Sequence, residues 1–401
     1  MKAAESGIQE YKMNAVINVK DVLLKKYAEK FGRDPEIVAY APGRVEILGN
    51  HTDYNEGCVL SAAINFGTYF AISARTDGEA HLIAGDIMQE VVFDPARPEA
   101  TKENMWANYV KGVLAGLVAK SKPSHGFDAM FLGNLPLGSG LSSSAALEVS
   151  SGLAFAKLYG MEVDKLELAR IGQKAEHEFA GVKTGLLDQV SSLYGKEYSL
   201  VWSDFRTYEF KSVKISPDVC FLLCNTNVRH ALVDGAYNER RERCDQATMF
   251  FANTLDKPVK ALRDVTWEDW IEHHDKMDEL TARRSAHPIG ENERVLSGIE
   301  MLRNNDLTGF GRLMFESHES SRVNFENSCP ELDTLVAGAQ AVPGVLGARL
   351  SGGGFGGSAV VMTTKRDVDA VSTTLRNIYA NKYGARCDTR IITCSDGARV
   401  L

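Results

Sequence analysis

The segment Pro136-Leu-Gly-Ser-Gly-Leu-Ser-Ser-Ser-Ala-Ala146 decides the fold, because it separates a predicted strand from a predicted helix. Before it, residues 126–132 alternate apolar and polar side chains, which predicts a strand that enters a core. After it, an apolar-rich run that extends to Leu158 predicts a helix. The segment is therefore expected to form a glycine-serine loop at a helix N-terminus.

This loop has the composition of an anion-binding site. Gly138 and Gly140 allow the backbone to turn its N–H groups inward without Cβ clashes. Ser142, Ser143 and Ser144 offer hydroxyls and can also cap the helix. Free N–H groups and the positive end of the helix dipole favour a bound polyphosphate. A simple helix cap is the alternative interpretation, and the loop lacks the endings typical of P-loops and of dinucleotide-binding turns.

Length and composition limit the possible architectures. The chain has 401 residues, which favours two domains, and a polar, turn-rich change of composition near residues 203–216 marks the boundary. We expect an N-terminal domain at residues 1–205 and a C-terminal domain at residues 206–401. Strands and helices that occur in blocks predict an α+β fold.

The charge and the cysteines exclude several function classes. A formal net charge of −8, from 45 basic and 53 acidic residues, argues against nucleic acid or an anionic membrane as the main partner. The N-terminus lacks an apolar signal region and no apolar run is long enough to span a bilayer, so a cytoplasmic protein is expected. The seven cysteines show no zinc-like pairing with histidines.

Three features together indicate phosphoryl transfer. The serine loop supplies donors for phosphates, and Glu176 and Asp188 are carboxylates on either side of Gly181. One carboxylate could hold Mg²⁺ while the other orients or deprotonates a hydroxyl acceptor. A second glycine-rich loop, residues 352–357, allows close backbone approach to a substrate. The alternatives are a solvated helix face for Glu176, a helix cap for Asp188 and a flexible turn for the second loop.

Four segments resemble the galactokinase family of the GHMP small-molecule kinase superfamily, and the resemblance covers almost the whole chain. They are the sugar signature at residues 43–55, the ATP-phosphate loop at 135–146, the catalytic-aspartate segment at 176–189 and the third superfamily motif at 351–357. Residues 106–112 and 227–230 are also galactokinase-like. The resemblance implies two α+β domains with the active site in the inter-domain cleft, and an enzyme that uses ATP to phosphorylate the C1 hydroxyl of a sugar.

The resemblance also implies roles for individual residues. Asp188 is the expected catalytic base or orienting carboxylate, and Arg44 would stabilise the ionised Asp188 and the charge that develops on the transferred phosphate. Ser144, or its neighbour Ser142 or Ser143, and Glu176 are expected to coordinate Mg²⁺. The positions that match sugar contacts are Asn50, His51, Asp53, Gly185 and Tyr237. The positions that match ATP contacts are Trp106, near the adenine, and Gly138, Ser139, Gly140, Leu141, Ser142, Ser143 and Ser144.

One departure from the family signature leaves the sugar open. The signature normally has Gly-Glu-His-Thr-Asp-Tyr, and its glutamate accepts a hydrogen bond from the O6 hydroxyl, whereas this chain has Asn50 there. An asparagine is shorter, uncharged and able to donate as well as accept. Galactose, a uronic acid such as galacturonate, and a sugar with a truncated C6 such as arabinose are therefore all possible substrates. Lys183 adds a cation near the active segment, with a solvated surface lysine as the alternative.

A non-catalytic sugar sensor is the rival hypothesis. Fungal co-inducers resemble galactokinases but have lost the Ser-Ala pair in the phosphate loop. This chain keeps residues 142–146 together with Asp188 and Arg44, which favours catalysis. A small-molecule sugar and ATP are the expected partners, and a monomer is expected.

Overall fold

Two β-sheets with helices packed on them make up the part of the chain that the computed structural model describes, residues 18–119, 123–136, 140–229 and 233–401. The strands are β1 Ile37–Leu48, β2 Cys58–Arg75, β3 Ala80–Ala84, β4 Gln89–Phe93, β5 Gly126–Gly133, β6 Ser199–Asp204, β7 Glu209–Lys214, β8 Val219–Arg229, β9 Val345–Ser351, β10 Gly356–Thr364, β11 Asp388–Ile392 and β12 Arg399–Val400. The larger sheet has the order β12-β1-β2-β5-β3-β4, with β6 on β2 and β7 on β6. The smaller sheet has the order β11-β8-β10-β9.

Helices connect and cover these sheets. The α-helices are α1 Val19–Phe31, α2 Trp106–Val118, α3 Ser143–Leu158, α4 Lys165–Ala175, α5 Leu187–Tyr194, α6 Val233–Thr254, α7 Trp267–His273, α8 Glu279–Arg303, α9 Leu307–Ser320, α10 Pro330–Gln340 and α11 Val368–Tyr383. Short 3₁₀ turns occur at Asp53–Asn55, Leu262–Asp264 and His274–Lys276. Two π-helical turns, Glu176–Ala180 and Ser321–Phe325, extend α4 and α9. The predicted α+β class is confirmed. None of the described helices is long and apolar enough to cross a membrane.

A shared hydrophobic core joins the two sheets. Val45 and Ile47 of β1 belong to the same buried cluster as Phe221 of β8 and Val360 of β10. Apolar burial of this kind contributes roughly 25 cal/mol per Å² and is the main stabilising term of a fold. The site described below lies at the edge of this core, where elements of both sheets meet.

The first strand is longer than the sequence indicates. Pro42 and Gly43 are typical break signals, yet β1 continues through them to Leu48. Pro42 lies at a register shift against β2, where a residue without an N–H can be tolerated. A Cβ at Gly43 would lie 2.5 Å from the carbonyl oxygen of Leu141, so glycine lets β1 approach the phosphate loop closely.

The C-terminal residues return to the larger sheet. Strand β12 pairs with β1, and the N–H of Leu401 donates to the carbonyl of Val38 at 2.8 Å. At the predicted boundary the larger sheet continues past residue 205 into β7. The division at residues 205 and 206 stays a prediction.

Candidate active site

The phosphate loop places a hydroxyl on the catalytic segment instead of capping its helix. Ser142 occupies the N-cap position of α3 with φ 55°, and its side chain makes no cap hydrogen bond. Its Oγ donates instead to Oδ2 of Asp188 at 2.5 Å. Because no side chain caps α3 in the described structure, the helix keeps its positive N-terminal end available for an anion.

The rest of the loop presents backbone. Gly140 is exposed with φ 74°, whereas the Leu141 side chain is buried in the core, so only its backbone can face a ligand. Ser143 and Ser144 are partly exposed at the first turn of α3. Gly138 and Ser139, predicted to bind phosphate, lie outside the described residues.

Asp188 and Arg44 form an ion pair beside this loop. Nε of Arg44 donates to Oδ1 of Asp188 at 2.8 Å, and Nη2 lies 2.6 Å from the same oxygen. Nη1 of Arg44 donates to the carbonyl of Gly140 at 2.6 Å. The side chains are 10% and 21% exposed, so the pair is well shielded yet reachable. The structure places these two predicted residues in contact, and their catalytic roles stay a prediction.

Glu176 is a buried carboxylate, so the alternative of a solvated helix face is wrong. It begins the π-helical turn, where its Oε1 accepts a hydrogen bond from Ser144 Oγ at 3.0 Å. Its Oε2 accepts from Thr184 and, at 3.2 Å, from Gln189. Burial and the charge of Asp188 raise the pKa of Glu176.

A second buried carboxylate, Glu148, escaped the sequence analysis. It is fully buried, and burial followed by the charge of Glu176 raises its pKa well above the usual range. One oxygen accepts from Gln189 at 2.8 Å, and the other is buried without a partner in the described structure. Its position four residues after Ser144 in a predicted helix was the signal available, because such residues share a helix face.

These oxygens fit a magnesium ion that arrives with a nucleotide. The charges of Glu176 and Asp188 act on Glu148, so the three carboxylates are neighbours, and Asp188 is paired with Arg44. The described residues contain no group of three or more Asp, Glu, His or Cys side chains arranged as a complete metal cage. Mg²⁺ typically takes one or two carboxylates together with substrate phosphates and water, and the Ser144–Glu176 pair offers that donor set.

The sugar signature loop meets the Asp188 segment through Gly185. A Cβ at Gly185 would lie 2.0 Å from Oδ2 of Asp53, so only glycine allows this approach. Burial, then the charges of Glu46 and Asp188, raise the pKa of Asp53 to about 6. The two aspartates therefore share one crevice.

His51 is a buried support behind the loop. Its Nδ1 accepts from Tyr54 Oη at 3.0 Å and its Nε2 lies 3.3 Å from the carbonyl of Gly353. A carbonyl only accepts, so Nε2 carries the proton. Burial lowers the pKa of His51 to about 4, which keeps the ring neutral. The ring centroid lies 5.3 Å from that of Tyr237 and 4.5 Å from that of Phe325, so His51 helps to position Tyr237.

Asn50 is 1% exposed and its amide is used within the protein. Its Nδ2 donates to Oε1 of Glu46 at 2.8 Å and to the carbonyl of Gly352 at 2.9 Å. Its Oδ1 accepts from Nδ2 of Asn327 at 3.1 Å. The side chain thus has little capacity left for a sugar hydroxyl.

Glu291 anchors the same loop from helix α8. One of its oxygens accepts the backbone N–H groups of Gly49 and Asn50, each at 2.9 Å. It is fully buried beside Arg294, which lies 2.6 Å away. Sequence reasoning missed Glu291, because nothing near it in the chain indicates a contact some 240 positions away.

The second glycine-rich loop supports the sugar signature. The carbonyls of Gly352 and Gly353 accept from Asn50, His51 and Asn327. A Cβ at Gly354 would lie 2.1 Å from the carbonyl oxygen of Asn327. A merely flexible turn does not describe this loop, because Gly354 packs closely on Asn327 and the carbonyls of Gly352 and Gly353 are hydrogen-bonded.

Two further residues that the sequence analysis named are Trp106 and Lys183. Trp106 begins α2, where its Nε1 donates to Gln89 at 3.1 Å and its ring lies 5.5 Å from that of Phe131. Its place near an adenine stays a prediction. Lys183 is exposed, in line with a surface lysine.

Family models match three parts of the chain. They are the galactokinase galactose-binding signature over residues 25–74, the GHMP kinases N terminal domain over residues 108–196 and the GHMP kinases C terminal domain over residues 299–381. The first contains Arg44, Asn50 and Asp53, and the second contains Glu176 and Asp188. The predicted kinase motifs thus lie within matched regions.

Whole proteins give the same result. Galactokinases from Haemophilus influenzae are 41% identical over 92% of this chain and 95% of their own length. A galactokinase from Mannheimia succiniciproducens is 38% identical over 95% of this chain and 99% of its own. The structure of Lactococcus lactis galactokinase complexed with galactose has a TM-score of 0.90 at 32% identity, covering 96% of this chain and 100% of that one. A mevalonate kinase, with a TM-score of 0.62 at 17% identity over 90% of this chain and 99% of that one, shares the fold.

Proposed function

Because the chain belongs to the galactokinase family of the GHMP kinases, we propose that it transfers the γ-phosphate of ATP to the anomeric hydroxyl of galactose. The products are galactose 1-phosphate and ADP. One observation carries the proposal: Asp188 accepts a hydrogen bond from the phosphate-loop residue Ser142, while Gly185, in the same segment, packs on Asp53 of the sugar signature.

In the proposed reaction the phosphate loop holds the nucleotide. The free N–H groups at the start of α3 and the hydroxyl of Ser143 bind the phosphates. The Ser142 hydroxyl has one proton, which it donates to Asp188 in the described structure, so it would have to rotate away from Asp188 to donate to a phosphate. Leu141 and Gly140 contribute backbone only. A Mg²⁺ ion held by Ser144 and Glu176 would neutralise phosphate charge, which is the chemistry that a metal supplies to such sites.

Asp188 then acts on the anomeric hydroxyl of the sugar. It accepts a hydrogen bond from the anomeric hydroxyl and takes its proton as the oxygen–phosphorus bond forms and the bond between the γ-phosphorus and the bridging oxygen of ADP breaks. Arg44 holds Asp188 in place through its ion pair and faces the charge on the transferred phosphoryl group. Asp53 and Tyr237 bind other sugar hydroxyls, with His51 behind them.

Removal of the Asp188 carboxylate tests this assignment. Asp188→Asn is expected to lower sugar-dependent ADP release by a factor of about 10² or more, because a positioned acid or base contributes that much. Nucleotide affinity should stay close to that of the wild type. Asp275→Asn, an exposed aspartate on a 3₁₀ turn, is the matched control.

Other outcomes would contradict the proposal. Near-normal turnover in Asp188→Asn would show that Asp188 is not the base that accepts the proton of the anomeric hydroxyl. Sugar-dependent ATP binding without ADP release in the wild type would favour the sensor hypothesis. Activity that persists without any divalent cation would contradict the proposed role of Mg²⁺. The oligomeric state is a separate test, in which light scattering should give the mass of a monomer.

A further inference from the structure

We infer that Glu46, on strand β1, supplies the sugar-recognising carboxylate that the family signature places at position 50. The enzyme then takes a sugar with a neutral hydroxyl at C6 and discriminates against a 6-carboxylate. This inference rests on the proposed function, because it concerns the acceptor of the same site.

Strand geometry directs Glu46 toward the site. Successive side chains in a strand point to opposite faces, so Arg44 and Glu46 share one face of β1, while Val45 and Ile47 lie on the other. Val45 and Ile47 are buried in the shared core. Arg44 reaches Asp188, so Glu46 extends from the face that lines the crevice.

The hydrogen bonds of Glu46 leave one oxygen for a ligand. Its Oε1 accepts from Nδ2 of Asn50 at 2.8 Å and from Nη1 of the fully buried Arg349 at 2.9 Å. Its Oε2 accepts no hydrogen bond from the described residues, yet it is not among their fully buried unpartnered atoms. The side chain is nearly buried, at 6% exposure, and this oxygen keeps part of that remaining exposure.

The Asn50 amide donates a hydrogen bond to the Glu46 carboxylate. Its Nδ2 also donates to the carbonyl of Gly352, which can only accept, so the amide orientation is fixed. Asn50 is therefore the donor that holds the carboxylate of Glu46. Burial raises the pKa of Asp53 and of Tyr237, which are expected to contact the sugar, and the nearby charge of Glu46 raises both further.

Positions 46 and 50 are close enough for their carboxylate and amide side chains to be interchanged. Asn50 Nδ2 lies within hydrogen-bond distance of Glu46 Oε1. One methylene more at position 50 and one fewer at position 46 would move the carboxylate into nearly the same space. Arg349 would keep an anionic partner, so the buried charges stay balanced in the exchanged pair.

The placement of this carboxylate sets the substrate class. A carboxylate accepts a hydrogen bond from a C6 hydroxyl but repels a second carboxylate, so galacturonate is disfavoured. Arabinose lacks the hydroxyl and would leave a desolvated acceptor unpaired, which also costs affinity. Asn50 alone had left all three sugars open, and Glu46 restores the preference for galactose.

The experiment compares the wild type with Glu46→Gln, Asn50→Glu and the double exchange Glu46→Asn/Asn50→Glu. Steady-state kcat and KM are measured for galactose, galacturonate and arabinose, and calorimetry gives sugar affinity independently of turnover. ATP affinity reports folding, and Glu36→Gln, an exposed glutamate just before the same strand, is the control.

We expect Glu46→Gln to raise the galactose KM at least tenfold and the galacturonate-to-galactose ratio of kcat/KM at least tenfold. Asn50→Glu alone crowds two carboxylates on Arg349 and should weaken galactose binding. The double exchange should recover galactose affinity to within a few fold of the wild type.

Two results would overturn the inference. One is an unchanged galacturonate-to-galactose ratio in a Glu46→Gln protein that binds ATP normally. The other is a double exchange that is impaired as much as Asn50→Glu alone. Galactose binding without ADP release in the wild type would instead refute the proposed function, and the affinities would still test Glu46.

Discussion

Asp53 is a carboxylate whose surroundings disfavour its charge. It is partly buried, and this burial together with the charges of Glu46 and Asp188 raises its pKa to about 6. Because the folded-state pKa lies above that of an unfolded aspartate, ionisation of Asp53 costs stability at neutral pH. This cost declines as the pH falls through about 6 and is gone only below the unfolded-state pKa of about 4. This loss of stability follows from holding a carboxylate that accepts hydrogen bonds from the sugar in a confined site.

This pKa predicts an acid limb in activity. Protonation removes the acceptor, so kcat/KM for galactose should fall as the pH drops through about 6, whereas ATP affinity should change little. Initial rates between pH 5 and 8 check this. A flat profile down to pH 5 would contradict it, and Asp53→Asn should lower kcat/KM and remove the limb.

Residues within compact motifs could be predicted from the sequence, and residues that act across the chain could not. Asp188 and Ser142 stand in segments whose pattern of glycines and polar side chains indicates a site. Glu46 and Glu291 look like ordinary charged residues of a strand and a helix. Their importance depends on Arg349 and on the Gly49–Asn50 backbone, which only folding brings near.

Two π-helical turns shape the site at the scale of elements. The turn at Glu176–Ala180 directs Glu176 inward to Ser144, and Gly181 ends it with φ 75°. The turn at Ser321–Phe325 sets Phe325 against His51 and precedes Asn327. Apolar periodicity indicates only a helix in such a segment. It could not predict the wider turns, because one extra residue in a helical turn leaves the composition unchanged.

Helix α8 offers a matched pair of tests. Glu291 and Arg294 form a buried i, i+3 pair, and Glu300 and Arg303 form an exposed one on the same helix. Burial opposes the charge of Glu291, but Arg294 and the other nearby cations keep its pKa below the usual range. Its stabilising contribution is therefore present above the unfolded-state pKa and is lost only in strong acid.

Glu291→Gln should destabilise the protein by about 3 kcal/mol, because it leaves Arg294 without its anion and loosens the Gly49–Asn50 backbone. Urea unfolding measures the loss, and the galactose KM should rise as well. Glu300→Gln should change neither. Equal effects of the two substitutions would show that burial of the first pair has no energetic consequence.

At the scale of the whole molecule, residues 395–401 complete the larger sheet. The N–H groups of Ser395, Gly397 and Ala398 donate to carbonyls of residues 63, 195 and 192, and β12 pairs with β1. Alternation and apolar periodicity identified β5 and α3, but they contain no information on such pairing partners. For this reason the sequence indicated a division near residue 205, whereas the larger sheet takes strands from both sides of it.

Removal of residues 395–401 should therefore weaken the N-terminal part of the molecule. Each lost backbone hydrogen bond contributes on the order of 1 kcal/mol, so we expect Tm to fall by roughly 5 °C or more. Calorimetry of the truncated protein measures this. Val400→Ser, an exposed position that keeps the backbone pairs, should leave Tm nearly unchanged.

The pairing of β12 with β1 also bears on synthesis. A ribosome that adds about 5–20 residues per second needs roughly 20–70 s to proceed from the codon of Tyr40 to that of Arg399. Throughout that interval the outer edge of β1 has unpaired N–H and C=O groups, which can recruit strands of another nascent chain. The risk of misassembly therefore lasts until translation reaches the C-terminal strand, and a chaperone that covers this edge would act during that interval.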